Sequence, residues 1–200
     1  PQELLALRHL DDAHRADALM DTGAIWRLLD GAEQLRPFKP AAAMWACTSG
    51  SFVYGLAGAQ RQAAAVAEQL GVPVSSTSLA FAAAVRELGL ARVAIGATYP
   101  DDLADLFRSF LADAGITVVA VGTLGIMEAS EGGTLTRQQV LDLAHANRHS
   151  DAQAILLPDT ALHTVEWLAE LQGVAGAPVL TANQVTIWEG LRLAGHPAGD

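Results

Sequence analysis

Short apolar runs alternate with longer amphipathic stretches from residue 42 onward, and this alternation constrains the fold more than any other feature. Ala42–Cys47, Pro73–Ser75, Arg92–Ala97, Ile116–Val121, Ala152–Leu157 and Pro178–Thr181 read as strands. Between them, apolar residues recur at three- and four-residue spacing. They predict helices from Val53 or Gly55 to Leu70, over Leu79–Leu88, from Asp101 to Ala114, and over Thr136–Asn147, Leu162–Leu171 and Asn183–Ala194. Ser76–Thr77–Ser78 and Pro100–Asp101–Asp102 are helix-start signals, while Gly71 and Gly89 are stops. Upstream, Asp12–Ala18 and Thr22–Leu35 read as helical, closed by Pro37 and Pro40. Gly122–Gly133 reads as a loop with a helical turn around Met127. Strands that alternate with helices build a mainly parallel sheet, so the expected class is α/β.

The element order also repeats. Ala42–Cys47, a helix, Val72–Pro73–Val74 and a helix ending at Leu88–Gly89 form one unit. Ala152–Asp159, a helix, Ala177–Pro178–Val179 and a helix ending at Ala194–Gly195 form the other. Cys47–Thr48 then corresponds to Asp159–Thr160, and Pro73–Val74 to Pro178–Val179. The expectation is two pseudo-symmetric parallel α/β half-domains whose strand-end loops meet in a cleft that holds the site. Residues 1–95 with 180–200 are assigned to the first half and 96–179 to the second. Cys47 and Asp159 would stand on opposite walls. The competing reading is that any two strand–helix–strand units look alike.

Cys47 is the only cysteine, placed where an apolar run ends and followed by Thr48, Ser49 and a helical pattern. A thiol at the mouth of a sheet, with helix N–H groups aimed at it, has its pKa lowered and becomes a nucleophile or proton carrier. The alternative is a small buried hydrophobe.

The totals exclude several classes. A length of 200 residues suits one domain or a tight pair of half-domains, and 51% hydrophobic residues support a large core. A formal net charge of −10 argues against nucleic acid or an anionic membrane as partner. No apolar run approaches the roughly 20 residues of a membrane span. With no signal peptide visible and a single cysteine, a cytoplasmic location is expected. Lys39 is the only lysine and stands between Phe38 and Pro40, which disfavours a lysine Schiff base. His9, His14, His145, His149, His163 and His196 form no metal motif; His145 and His149, four apart, read as a solvated helix end. There is no phosphate-binding glycine loop.

Four stretches in order resemble the aspartate/glutamate racemase superfamily, in the branch of arylmalonate decarboxylase and maleate cis-trans isomerase. They are Ala46–Cys47–Thr48–Ser49; Ala94–Ile95–Gly96–Ala97–Thr98–Tyr99–Pro100–Asp101–Asp102; Ala154–Leu157 with Asp159–Thr160; and Ala177–Pro178–Val179 through Asn183–Gln184 to Trp188. The resemblance implies two α/β halves around one site, no cofactor and no metal. It implies a cysteine that moves protons beside a carboxylate or adds to a double bond. On this basis Cys47 is the catalytic thiol, and Thr48, Ser49 and Tyr99 hold a substrate carboxylate. Thr160 offers its N–H and hydroxyl from the other half. The family's second cysteine is here Asp159, preceded by Pro158, which leaves Asp159 as the opposing acid/base and the two-thiol mechanism incomplete. Family members also begin with a pocket-lining strand, and this sequence begins in a segment that follows it.

The chemistry expected is decarboxylation of a malonate-type diacid or cis-trans isomerisation of a butenedioate, one thiol favouring decarboxylation. Racemase-like activity is the runner-up. The rival is a catalytically idle carboxylate-binding protein. Bland roles stand beside these: helix caps for Thr48, Ser49, Thr160, Asp159 and Asn183, a strand-end cap for Tyr99, and core for Trp188. A small carboxylate and a second copy of the chain, as dimer or tetramer, are the partners expected.

Overall fold

The computed structural model describes residues 13–196; the helix start expected at Asp12 lies outside them. In chain order the elements are α1 (Ala16–Thr22), α2 (Ile25–Leu35), β1 (Ala43–Trp45), α3 (Ser49–Phe52), α4 (Gly55–Leu70), β2 (Val74–Ser76), α5 (Thr77–Glu87) and β3 (Arg92–Ala97). There follow α6 (Asp101–Asp113), β4 (Thr117–Thr123), α7 (Ala129–Gly132), α8 (Arg137–Ala146), β5 (Ala154–Leu157), α9 (Leu168–Ala175), β6 (Val179–Thr181) and α10 (Ala182–Leu193). All strand pairings between these elements are parallel: β1 with β2, and a second sheet in the order β4-β3-β5-β6. The molecule is therefore α/β with parallel sheets. The four-stranded sheet runs from Arg92 to Thr181, so it crosses the division expected at residue 95.

The inner strands β3 and β5 of the larger sheet are buried on both faces, as in parallel sheets, while the edge strand β4 is partly exposed. In β3, Val93, Ile95 and Ala97 pack into one core with Phe81, Phe107 and Leu111, while Ala94 faces the other with Leu143 and Leu171. Strand β5 alternates likewise: Leu156 joins the first core, and Ile155 and Leu157 the second. Phe52, Phe81, Phe107 and Phe110 form a continuous aromatic cluster, and Tyr99 is packed on Phe52 at its end. Trp188 packs against the same core, the bland role expected of it.

Two elements differ from expectation near the site. The strand expected to reach Cys47 ends at Trp45, because the Cys47 N–H turns back to the Trp45 carbonyl at 2.9 Å. The helix expected from Leu162 begins as a 3-10 turn at Val165 and becomes α-helical only at Leu168. Side chains satisfy the intervening loop instead. Asp159 Oδ1 accepts the Ala161 N–H at 2.8 Å, and Asn183 Nδ2 donates to the carbonyls of Thr160 and Leu162 at 3.2 and 3.0 Å. Asn183, expected as a cap of the last helix, is thus a clamp on this loop, and Thr181 holds the N-cap position. Elsewhere the start signals act as read: Ser76 caps α5 by accepting the Leu79 N–H, and Asp101 and Asp102 fill the first turn of α6 after Pro100. Thr136 caps α8 in a capping box with Gln139.

Candidate active site

Parallel strands deliver their carboxyl ends to one edge, and the residues just beyond those ends build the site. Cys47, Thr48 and Ser49 follow β1, Thr98 and Tyr99 follow β3, and Pro158, Asp159 and Thr160 follow β5.

Cys47 is half-buried. Its Sγ accepts the Gly50 N–H at 3.4 Å and stands 4.0 Å from Ser49 Oγ. These contacts favour the thiolate, yet burial outweighs them, and the negative charge of Asp159 adds to burial; the thiol pKa is pushed up. The lowering expected from the helix start is corrected here. The N–H groups of Gly50 and Ser49 at the start of α3 offset less than the solvation that the site removes.

Thr48 is 1% exposed and Ser49 is buried beside it. The Thr48 Oγ1 lies against the Tyr99 phenol but makes no hydrogen bond of good geometry among the described residues. A buried hydroxyl without a partner is costly unless a ligand or water meets it, so Thr48 is the donor with free capacity.

Tyr99 is fully buried, and its hydroxyl donates to the Pro158 carbonyl at 2.7 Å. Burial, followed by the charges of Asp159 and Cys47, drives its pKa well above the usual phenol range, so it stays a neutral donor. Asp159 is 4% exposed. Its Oδ2 accepts the Thr98 hydroxyl and its Oδ1 the Ala161 N–H. Thr160 is partly exposed, its carbonyl held by Asn183.

Cys47, Thr48, Ser49, Tyr99 and Asp159 are thus brought together, with Thr160 on the loop next to Asp159. None of the six lines the groove of about 880 Å³ between α2, α4 and the β1–β2 pair, which is walled by Trp26, Phe38, Met44 and Trp45. Among the described residues there is no cluster of three or more His, Cys, Asp or Glu able to hold a metal ion, and no helix long and apolar enough to cross a membrane.

The family model for arylmalonate decarboxylase matches residues 5–199. The chain belongs to the arylmalonate decarboxylase family. The arylmalonate decarboxylase of Bordetella bronchiseptica is 28% identical over 173 residues, which cover 86% of this chain and 72% of that protein. A solved arylmalonate decarboxylase in liganded form, a double mutant with one glycine changed to cysteine and one cysteine to serine, superposes with a TM-score of 0.84 at 26% identity. The match covers 93% of this chain and 81% of that one. A Nocardia farcinica maleate cis-trans isomerase mutant, solved with a covalently bound succinylcysteine intermediate, shares the fold with a TM-score of 0.83 at 24% identity. It covers 93% of this chain and 78% of that one. As a member of the arylmalonate decarboxylase family, the chain is an enzyme of the decarboxylase and isomerase type acting on small carboxylic acids.

Three residues of the site were not assigned to it from the sequence. Thr98 orders Asp159 from across the sheet, and Asn183 fixes the loop that follows Asp159. His14, 3% exposed, bonds through Nδ1 to the Ile126 carbonyl at 2.7 Å and packs edge-on against Tyr99, with ring centroids 5.0 Å apart. Thr98 lay inside a family-like stretch. His14 carried no functional signal: it lay in a segment expected to be helical and has no metal spacing, whereas the helix begins only at Ala16.

Proposed function

We propose that this chain is a cofactor-independent decarboxylase of a malonate-type dicarboxylate, with Cys47 as the thiol that protonates the product carbon. The supporting observation is the direction of the Cys47 pKa: a thiol pushed up by burial is protonated at neutral pH, the state a proton donor needs and an attacking thiolate lacks.

One substrate carboxylate leaves as CO₂, and the electron pair of the broken bond passes into the other carboxylate as an enediolate. Thr48, Ser49 and the N–H and hydroxyl of Thr160 hold that oxygen pair, neutral donors whose value rises as charge develops. Tyr99 borders the same cradle through Thr48. Cys47 then gives its proton to the carbon and is itself reprotonated from solvent. Asp159, both of whose oxygens accept hydrogen bonds, shapes the loop and keeps the thiol protonated. The scaffold of the similar double mutant takes ligand with one cysteine introduced and another removed, which agrees with a site whose cysteine content varies.

Isomerisation by thiolate addition is the second reading, favoured by the Gly50 N–H that points at Sγ. A cytoplasmic location and a homo-oligomer, with exposed Trp26 and Phe38 in the contact, belong to the same proposal.

The test is an NMR assay in deuterated buffer with a panel of malonates, maleate and monocarboxylates. The expected result is CO₂ loss from a malonate with deuterium at the α-carbon, reduced about 10²–10⁴-fold in Cys47→Ala. Isomerised butenedioate favours thiolate addition. Ligand binding without turnover, unchanged in Cys47→Ala, overturns the enzyme reading.

A further inference from the structure

The proposed cradle has a charge problem. A dicarboxylate must bind beside Asp159, on a chain of net charge −10, and the proposed cradle offers it only hydroxyl and N–H donors among the described residues. Arg15, the arginine nearest in sequence to the site's His14, is paired with Asp17 at the surface, and Lys39 is exposed.

His14 answers this. Because a carbonyl can only accept, the 2.7 Å bond to Ile126 puts the proton on Nδ1 of the neutral ring. Nε2 is then the basic atom, and it has no hydrogen-bond partner among the described residues. The ring is fixed at the carboxyl end of the larger sheet. The Leu124, Gly125 and Ile126 N–H groups bond to the carbonyls of Ala97, Tyr99 and Thr98, and the His14 N–H bonds to Met127. It packs on Tyr99, whose phenol experiences the charges of both Cys47 and Asp159. His14 is thus one ring away from both proposed reacting groups. Among the described residues, the ionisable groups on the adjoining segments are Glu128, exposed and joined to Ala13 by a β-bridge, and the Arg15–Asp17 pair.

We propose that His14 is a substrate-binding residue of this site: Nε2 takes a proton from solvent as the dicarboxylate binds, and the imidazolium supplies positive charge to the carboxylate that becomes the enediolate. This assignment rests on the decarboxylase reading for its substrate class, but its test does not depend on turnover. Charge at that position is worth more in the transition state than in the ground state, so His14 acts on kcat as well as KM.

The experiment uses phenylmalonate as probe. Two-dimensional NMR follows the His14 ring titration with and without it, and kinetics compare wild type with His14→Asn and His14→Ala. Asparagine places its amide N–H where Nδ1 stood, so it keeps the bond to Ile126 while removing Nε2. Expected are a His14 pKa raised by phenylmalonate, and a kcat/KM about 100-fold lower in His14→Asn at unchanged thermal stability. The wild-type fall of kcat/KM across the imidazole titration range should be absent in that variant. A raised His14 pKa without turnover supports this assignment and sinks the decarboxylase reading. A His14 titration that phenylmalonate does not move at any concentration overturns the assignment, with or without turnover. So does a His14→Asn enzyme with wild-type kcat/KM and pH profile.

Discussion

Thr98 donates its hydroxyl to Oδ2 of Asp159, tying the end of β3 to the loop beyond its neighbour β5. A carboxylate that is 4% exposed is tolerable only with its oxygens bonded, and Thr98 and Ala161 provide one donor each. Thr98→Val keeps the shape and removes one donor. The unpaired oxygen should cost about 1–3 kcal/mol in urea unfolding, with Thr98→Ser close to wild type. Equal stability of the valine variant would show that solvent already serves Asp159.

Asp159 raises the Cys47 pKa by charge, on top of burial. Asp159→Asn removes the charge and retains an acceptor for Ala161. The thiol pKa should fall while staying above that of a free thiol, since burial is the larger cause. Alkylation with iodoacetamide across pH reads this directly. In wild type Cys47 should react more slowly than a free thiol at neutral pH, and in Asp159→Asn faster than in wild type. An unaltered profile would mean that the carboxylate is screened from the sulfur.

The direction of that same shift decides what the rate does with pH. A protonated thiol is the active form of a proton donor, so activity should decline as pH rises through the elevated Cys47 pKa. An attacking thiolate would gain activity there. His14→Asn, which lacks the imidazole, isolates this limb in a kcat/KM profile carried to alkaline pH. A rise in that profile would assign the chemistry to covalent addition.

The strand and helix order was legible because strands β3, β5 and β6 of the larger sheet are apolar and buried, and the longer helices between them carry one apolar face. Cys47 stood out because it follows an apolar run, and Thr48, Ser49 and Tyr99 because they lie in the stretches that resemble the family. Thr98 did not, because its partner Asp159 is 61 residues away and a threonine after a strand looks like any helix-start residue. Asn183 carried a helix-start signal but spends its amide on a loop more than 20 residues distant. The direction of the thiol pKa differs from expectation because local sequence displays the helix start but neither the burial of Cys47 nor the charge of Asp159, 112 residues away in sequence.

Gly132, in α7, packs its Cα against the Asp159 carboxylate. A Cβ built on it would lie 2.8 Å from Asp159 Oδ2, nearer than packed atoms approach. The carboxylate cannot swing aside cheaply, because Thr98 and Ala161 each hold one of its oxygens by a hydrogen bond. Gly132→Ala should therefore displace either α7 or Asp159, at about 1–3 kcal/mol in stability, the usual cost of overpacking. It should also move the Cys47 alkylation profile, since Asp159 acts on that thiol. The neighbouring Gly133 is the control: its Cβ would meet only backbone oxygens at 3.4 and 3.6 Å, and its φ of −67° suits any residue. Gly133→Ala should leave both the melting temperature and the alkylation profile close to wild type. Two variants one residue apart thus separate contact with Asp159 from a general stiffening of this loop, and equal behaviour of the two would remove Gly132 from the site.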